Sequence, residues 1–238
     1  MEYKLKYSNR KTIGIRISPI EGIVVTAPIN CPKEEIERVI QEKSSWIIKS
    51  LKEVEVKLPS EKTMGEGGSI LYLGNYYPLK LRYSSLKSPL LILEKDGAEL
   101  RINALLQFHE DKRIVAVNKA IKEWYRERAY EYLKKRLDYY SIMVGVEYKS
   151  LTVKDLNSRW GSCSSKGNIN LDIKLLLLPS NLIDYIVLHE VCHRKEMNHS
   201  KKYWSLVKGF MPDYSLREME IKKLSPLIRV YWNKNTPL

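Results

Sequence analysis

The chain has 238 residues, which is enough to bury a core in one large or two small domains. Its apolar content of 44% is that of an ordinary globular protein, and no apolar run reaches transmembrane length, which excludes a membrane partner. The formal net charge of +13 indicates either a lysine-rich, solvated surface or an anionic partner such as nucleic acid or a nucleotide. The chain opens without the apolar core of a signal peptide and has three cysteines in no pairing pattern, so we expect a cytoplasmic location.

The first part of the chain, residues 1–105, is predicted to be a β-rich region with one helix. Apolar and polar residues alternate over residues 13–17, and an apolar run at 23–25 follows across a glycine, as in paired strands. A helix is predicted over residues 32–47 from its opening proline and from apolar residues at helical spacing. Residues 52–62 are charged and irregular, which is typical of a linker.

Two β-hairpins are predicted after this linker. Their turns are Gly74-Asn75 and Asp96-Gly97, pairs of residues that favour the tight turns of hairpins. The strands that these turns join are 70–73 with 76–83, and 90–94 with 98–102.

The pattern becomes helical near residue 111, and residues 106–238 are predicted to form a second domain. Apolar residues recur every three to five positions from Val117 to Tyr140, which predicts a long amphipathic helix with a basic outer face. After a turn at residues 164–167, residues 168–176 alternate between aliphatic and polar side chains. Such alternation predicts a strand with one face in the core and the other exposed.

The most informative feature is a cluster that holds three of the four histidines within eleven residues. Residues 189–193 form an H-E-x-x-H motif. Since residues four apart lie on one face of an α-helix, His189 and His193 can bind the same metal ion, with Glu190 beside them. A strongly apolar run precedes the motif and predicts a buried helix, where unpartnered polar side chains are costly. We therefore interpret the motif as a catalytic metal site rather than as core histidines.

The third ligand is predicted to be His199, six residues after His193. The helix must then end and the chain must turn back, with Asn198 as the residue that tolerates a left-handed backbone. Glu196 is the alternative ligand, because it stays near the ligand face if the helix continues. Three ligands leave a fourth position for water, as in catalytic zinc sites, so Cys163 is expected to pack rather than bind metal.

Three segments closely resemble the YgjP-like metallopeptidase family, whose relatives include the SprT-like zinc proteases. The first is Asn157–Leu171, with its Arg-Trp-Gly-Ser element, and the second is the H-E-x-x-H motif. The third is Glu196–Trp204, with its Asn-His-Ser element. A looser similarity extends to residues 10–13 and 36–46 of the first region.

The resemblance implies a zincin-like α+β fold, in which a long helix, a mixed sheet with an edge strand and the motif helix follow one another. It implies that zinc is held by His189, His193 and His199, with Glu190 as the general base. In zincins the edge strand lies beside the metal and receives an extended polypeptide substrate by backbone pairing. Residues 168–176 are the candidate for that edge strand.

Peptide hydrolysis also needs a group that stabilises the oxyanion, and we expect Arg159 to supply it, with Tyr185 and Tyr203 as alternatives. A structural salt bridge is the other interpretation of Arg159. Two further functions stay open. One is a nucleoside triphosphate phosphohydrolase in which Arg159, Lys166 and Lys174 hold phosphates. The other is a nucleic-acid-associated protein with a mainly structural zinc site, by analogy with SprT-like proteins that act on DNA-crosslinked proteins.

Overall fold

The computed structural model describes residues 3–18, 22–55, 67–95 and 97–235. The chain divides into two compact units between Glu61 and Lys62. This division lies earlier than the predicted boundary after residue 105, so both predicted hairpins belong to the second unit. No helix in the described part of the chain is long and apolar enough to cross a membrane.

The first unit combines a small sheet with helices on its apolar face. In the described residues its elements are β1 (Tyr3–Ser8), β2 (Gly14–Ser18), β3 (Gly22–Pro28), α1 (Lys33–Glu42) and α2 (Ser44–Glu55). Strand β3 is central and pairs parallel with β1 and antiparallel with β2. Its alternate residues Val25 and Ala27 pack with Ile36, Ile40 and Ile47 of the helices, which forms the core of this unit.

The helix predicted over residues 32–47 is interrupted. Helix α1 ends at Glu42 and α2 begins at Ser44, because Lys43 leaves the helical conformation with φ −94° and ψ 7°. Lysine is a good helix former, so the residue type at this position does not indicate in the sequence that the helix is interrupted. Helix α2 also extends into the predicted linker, and residues 56–62 of that linker lie outside the described residues.

The second unit begins with a sheet in the order β4-β5-β7-β6. Its strands are β4 (Ser69–Tyr72), β5 (Asn75–Ser84), β6 (Leu90–Glu94) and β7 (Gly97–Asn103). Both predicted hairpins are confirmed, since β4 pairs antiparallel with β5 and β6 with β7. Their predicted turn pairs are wrong by one residue, because Asn75 pairs with Tyr72 and Gly97 with Glu94, so that Asn75 and Gly97 belong to the strands. The first turn centres on Leu73 and Gly74, with φ of 49° and 80°, as in a type I′ turn. In the second turn, Asp96 lies outside the described residues.

Helix α3 (Glu110–Val144) is the predicted long amphipathic helix, which is thereby confirmed. Its buried residues recur along one side, from Val117 to Val144, and belong to the main core of the second unit. The helix ends at Gly145, whose φ of 70° is a conformation that glycine adopts without strain.

The next sheet contains β8 (Ser150–Lys154), β9 (Gly161–Cys163) and β10 (Asn168–Asp172). Strand β10 is central, parallel to β8 on one side and antiparallel to β9 on the other. The prediction that residues 168–176 form an edge strand is therefore wrong, and β9 is an edge strand of this sheet. The strand also stops at Asp172, where a 3-10 helix over residues 173–177 begins.

The polar residues at the end of β10 do not face solvent as predicted. Asp172 and Lys174 are 0% and 3% exposed, and the Lys174 ammonium lies 3.0 Å from the Asp172 carboxylate and also contacts Asp155. Asp172 further accepts the backbone N–H of Lys174, which caps the 3-10 helix. The alternating pattern therefore ends at a buried ion pair. Residue type alone does not show whether such charged side chains are buried as a pair or exposed to solvent.

Helices α4 (Ser180–Cys192), α5 (Lys201–Phe210) and α6 (Tyr214–Asn235) complete the second unit. Helix α4 is the motif helix, and Pro179 occupies its N-cap position without a side-chain bond. Ser200 caps α5, where its hydroxyl accepts the backbone N–H of Tyr203 at 3.3 Å. The arrangement of long helix, mixed sheet and motif helix confirms the predicted α+β class.

Candidate metal centre and active site

The predicted ligands His189, His193 and His199 lie together. One ring nitrogen of each lies within 4.8 Å of the others, and no other such group of metal-ligating side chains occurs in the described residues. The Nε2 atoms of His189 and His199 are 3.0 Å apart, a distance at which two lone pairs need a shared proton or cation between them. Three imidazoles fit zinc well and leave a coordination position free.

The chain reverses directly after α4 and brings His199 back to the motif histidines. The backbone N–H groups of Arg194 and Lys195 donate to the carbonyls of Val191 and Cys192 and close the last turn of the helix. Asn198 does not adopt the predicted left-handed conformation. Among the described non-glycine residues, only Leu73 has a positive φ. The reversal is made instead by ordinary turn conformations.

Glu196, the alternative third ligand, has its carboxylate elsewhere. That carboxylate pairs with the ammonium of Lys202 at 2.7 Å and is not part of the histidine cluster. Its backbone carbonyl lies 3.1 Å from Nδ1 of His193, which fixes the ring and leaves Nε2 for a metal ion. The geometry thus places His199 among the ligand candidates and Glu196 behind them.

Aromatic residues of α5 hold the imidazoles from behind. The Tyr203 ring stacks on His193 at 4.6 Å between centroids, and its hydroxyl donates to the His189 carbonyl at 2.9 Å. Trp204 stacks on His199 at 5.6 Å and on Tyr214 at 5.2 Å. The Tyr203 hydroxyl is therefore committed to the helix and is a poor candidate for oxyanion stabilisation.

Arg194 is a further residue that the sequence did not single out. Its guanidinium donates to the carbonyls of Glu147 and Ser165, both at 3.0 Å. The Ser165 bond holds the turn between β9 and β10 against the end of α4, and the Glu147 bond holds the segment between α3 and β8 there. The side chain also packs over Gly167, where an added Cβ would lie 3.2 Å from Cζ of Arg194.

Glu190 lies beside the cluster and is 6% exposed. Burial raises its pKa to about 8, and the charge of Arg159 lowers that pKa only in part. Gly161 of β9 packs directly on this carboxylate, since a Cβ added there would lie 2.6 Å from Oε1 of Glu190. A cation on the imidazoles would favour the ionised carboxylate. The imidazoles suit such a cation, because burial and the other two histidines lower the pKa of His189 to about 3 and keep it neutral.

The cluster opens into a cavity of about 250 Å³, and its lining residues are Gly161, Ser162, Cys163, His189, Glu190, His193, Met197 and His199. Arg159, two residues before Gly161 of β9, is exposed and has no hydrogen bond or ion pair with any described residue. The structural salt bridge considered for Arg159 is thus not seen within that part of the chain. The Cys163 thiol lines the cavity but donates to the Ser164 carbonyl at 3.5 Å, outside the histidine cluster.

Comparison with known proteins identifies the family. The model of the YgjP-like metallopeptidase domain matches residues 11–224, so the chain belongs to the YgjP-like metallopeptidase family, as its sequence resemblance predicted. No curated protein matches the chain. Solved structures that match include the metallopeptidase zymogens of Pyrococcus abyssi abylysin and Methanocaldococcus jannaschii jannalysin.

Both zymogens match a limited part of this chain. The abylysin zymogen is 25% identical, with a TM-score of 0.36, over 40% of this chain and 94% of its own. The jannalysin zymogen is 22% identical, with a TM-score of 0.35, over 40% of this chain and 96% of its own.

Substitutions at His199 and Glu196 test the ligand set. His199→Ala should weaken zinc binding by more than the roughly 10- to 100-fold typical of a residue that only supports a ligand. Glu196→Gln should have a smaller effect, because the backbone carbonyl that holds His193 is retained. Titration against a chromophoric chelator measures both affinities. A stronger effect of Glu196→Gln, or stoichiometric zinc in the His189→Ala/His193→Ala double variant, would contradict the site.

Proposed function

We propose that this member of the family is a zinc-dependent peptidase, with His189, His193 and His199 as zinc ligands and Glu190 as the general base. The observation that carries the proposal is a buried carboxylate that lines the same cavity as three clustered imidazoles. A structural zinc site does not need such a carboxylate, whereas hydrolysis needs a group that moves a proton. The metallopeptidase family supports the same reaction.

The residues of the site have separate roles in the proposed mechanism. When bound, zinc would lower the pKa of a water molecule and polarise the scissile carbonyl. Glu190 would accept a proton from the water as its oxygen attacks the carbonyl carbon, and would donate that proton to the amine that leaves. Arg159 donates hydrogen bonds to the developing oxyanion, for which its guanidinium is available because no hydrogen bond or ion pair with a described residue engages it. Tyr203 and Trp204 hold the imidazole planes in place.

The backbone of β9 supports a polypeptide substrate. Two ladder bonds bracket this strand: the N–H of Asp172 donates to the carbonyl of Trp160 at 2.8 Å, and the N–H of Ser164 donates to the carbonyl of Asn168 at 3.0 Å. Hydrogen-bonded pairs alternate along antiparallel strands, so Ser162, which pairs with Asn170, also directs its backbone groups towards β10.

Gly161 and Cys163, the other two residues of β9, then direct their backbone N–H and C=O groups away from β10. Gly161 and Cys163 line the cavity, and no strand among the described residues pairs with β9 on that side. An extended polypeptide that pairs with this edge would run past Glu190 and the histidines. We therefore assign to β9 the substrate-binding role that the sequence predicted for residues 168–176.

The alternative of a nucleotide phosphohydrolase loses one of its predicted phosphate-binding residues. Lys174 is buried and its ammonium pairs with Asp155 and Asp172, so its charge is already compensated inside the protein. Arg159 and Lys166 are exposed. The anionic partner inferred from the net charge stays a prediction.

Replacement of the general base tests the chemistry. Glu190→Gln should keep zinc and the fold but lower the hydrolysis of unfolded casein by about 10²- to 10⁴-fold, because only the proton transfer is lost. Glu127→Gln makes the same change on the exposed side of α3 and should leave the rate unchanged. Rates are measured with proteins of equal zinc content. Undiminished hydrolysis by Glu190→Gln would refute its role as base.

Substitutions of Cys163 test the edge strand as the substrate site. Cys163→Pro removes an N–H that faces the open edge, and should lower kcat/KM for unfolded casein by up to about tenfold relative to Cys163→Ala. The alanine variant loses the same thiol but keeps the N–H. Equal kcat/KM values for the two variants would exclude pairing through this amide.

Hydrolysis of triphosphates but not of peptides, abolished by Arg159→Ala, would favour the nucleotide reaction instead.

A further inference from the structure

Helix α6 contacts the segment before β9 at successive points. The contacts are Trp232 Nε1 donating to Asp155 Oδ2 at 2.8 Å, Arg229 Nη1 donating to the Asn157 carbonyl, and Trp160 Nε1 donating to Ser225 Oγ at 3.0 Å. Ser225, Arg229 and Trp232 are spaced by four and three residues, so they share one face of α6. We call these three side chains the α6 clamp.

Each contact of the α6 clamp is itself held in place. The Ser225 hydroxyl donates to the Ile221 carbonyl at 2.6 Å, which turns a lone pair towards the Trp160 indole. The Arg229 guanidinium lies over the Trp160 ring, 5.6 Å from its centroid. Asp155 also pairs with buried Lys174. The indole of Trp160 is therefore fixed in both position and ring plane.

Trp160 transmits this position to the active site. Its carbonyl accepts the N–H of Asp172 at 2.8 Å, which sets the start of β9 against β10. The next residue, Gly161, packs on Glu190 so closely that even a Cβ would lie 2.6 Å from Oε1. The residue before it is Arg159. A shift of Trp160 by a fraction of an ångström would therefore move both the strand that contacts Glu190 and the expected oxyanion donor.

We propose that the α6 clamp positions β9 and Arg159 against Glu190, and that Trp160 is the positioning residue through which it acts. The proposal rests on the peptidase function proposed above. The apolar residues Ile221 and Ile228 already bury α6 in the core, so the polar contacts are not needed to attach the helix. What the indole N–H bond adds is a defined orientation of the segment that enters the site.

Removal of the indole–hydroxyl bond from either side tests the proposal. Trp160→Phe and Ser225→Ala should each lower kcat for zinc-loaded protein on unfolded casein by about tenfold or more, with a smaller change in KM, because misplaced reacting groups slow the chemical step. The double variant should be no slower than the slower single variant, since both changes break the same bond. Zinc content should be unchanged and Tm should fall by no more than about 4 °C.

Two further variants separate positioning from general destabilisation. Ser225→Thr keeps a hydroxyl and should restore most of kcat, whereas Ser215→Ala changes an exposed serine on the same helix and should have no effect. Losses of kcat that follow Tm or zinc content, or losses that multiply in the double variant, would overturn the proposal.

Hydrogen exchange provides a readout that does not depend on activity. In Trp160→Phe and Ser225→Ala, the amides of Ser162 and Asp172 should exchange at least about tenfold faster, while those of α4 keep their protection. Unchanged exchange at both amides would overturn the positioning role. If the wild-type zinc protein failed to cleave casein, the proposed function would fall, and the exchange result would still decide whether α6 fixes β9.

Discussion

The contact between the Glu190 carboxylate and the backbone of β9 constrains most of the second unit. A carboxylate this deeply buried, with its pKa raised to about 8, is costly to ionise unless a positive charge lies next to it. The three imidazoles can hold that charge as a metal ion. The strand must approach closely enough to form the cavity wall, and only a glycine leaves room at Gly161.

The surrounding elements serve this contact from different sides. Helix α3 holds the motif helix α4 through the Arg136 guanidinium, which pairs with Asp184 at 2.6 Å. Helix α5 stacks aromatic rings on the imidazoles. Arg194 fixes the turn after β9, and the α6 clamp fixes the segment before it. Both ends of a three-residue strand are thus anchored, which suits a strand that has to present its free edge to a substrate.

What the sequence predicted well is what short-range geometry determines. The predicted ligands His189 and His193 are four residues apart on one helical segment, and the periodicity of α3 is visible within the helix itself. The sequence predicted that His199 joins the cluster. It did not predict the backbone conformation of the turn before His199, because several turn conformations reverse a chain equally well. The hairpin after Tyr72 follows from its glycine and is similarly local, although its turn lies one residue earlier than predicted.

What the sequence did not predict depends on partners far away in the chain. The order β8-β10-β9 makes residues 168–172 central, and no residue pattern within that segment distinguishes a central strand from an edge strand. Lys174 is buried because Asp155 lies opposite it, 19 residues earlier. The role of Trp160 likewise rests on Ser225, 65 residues later. Such pairs become visible only in the folded chain.

The central claim is that three histidines and no sulfur hold a zinc ion beside Glu190. X-ray absorption at the zinc edge of the metal-loaded protein tests it most directly. Our account predicts nitrogen and oxygen neighbours at about 2.0–2.1 Å, with outer-shell scattering from three imidazole rings. A sulfur neighbour at about 2.3 Å would place Cys163 in the coordination sphere, and scattering from only two imidazoles would remove His199. Either result would contradict the site described.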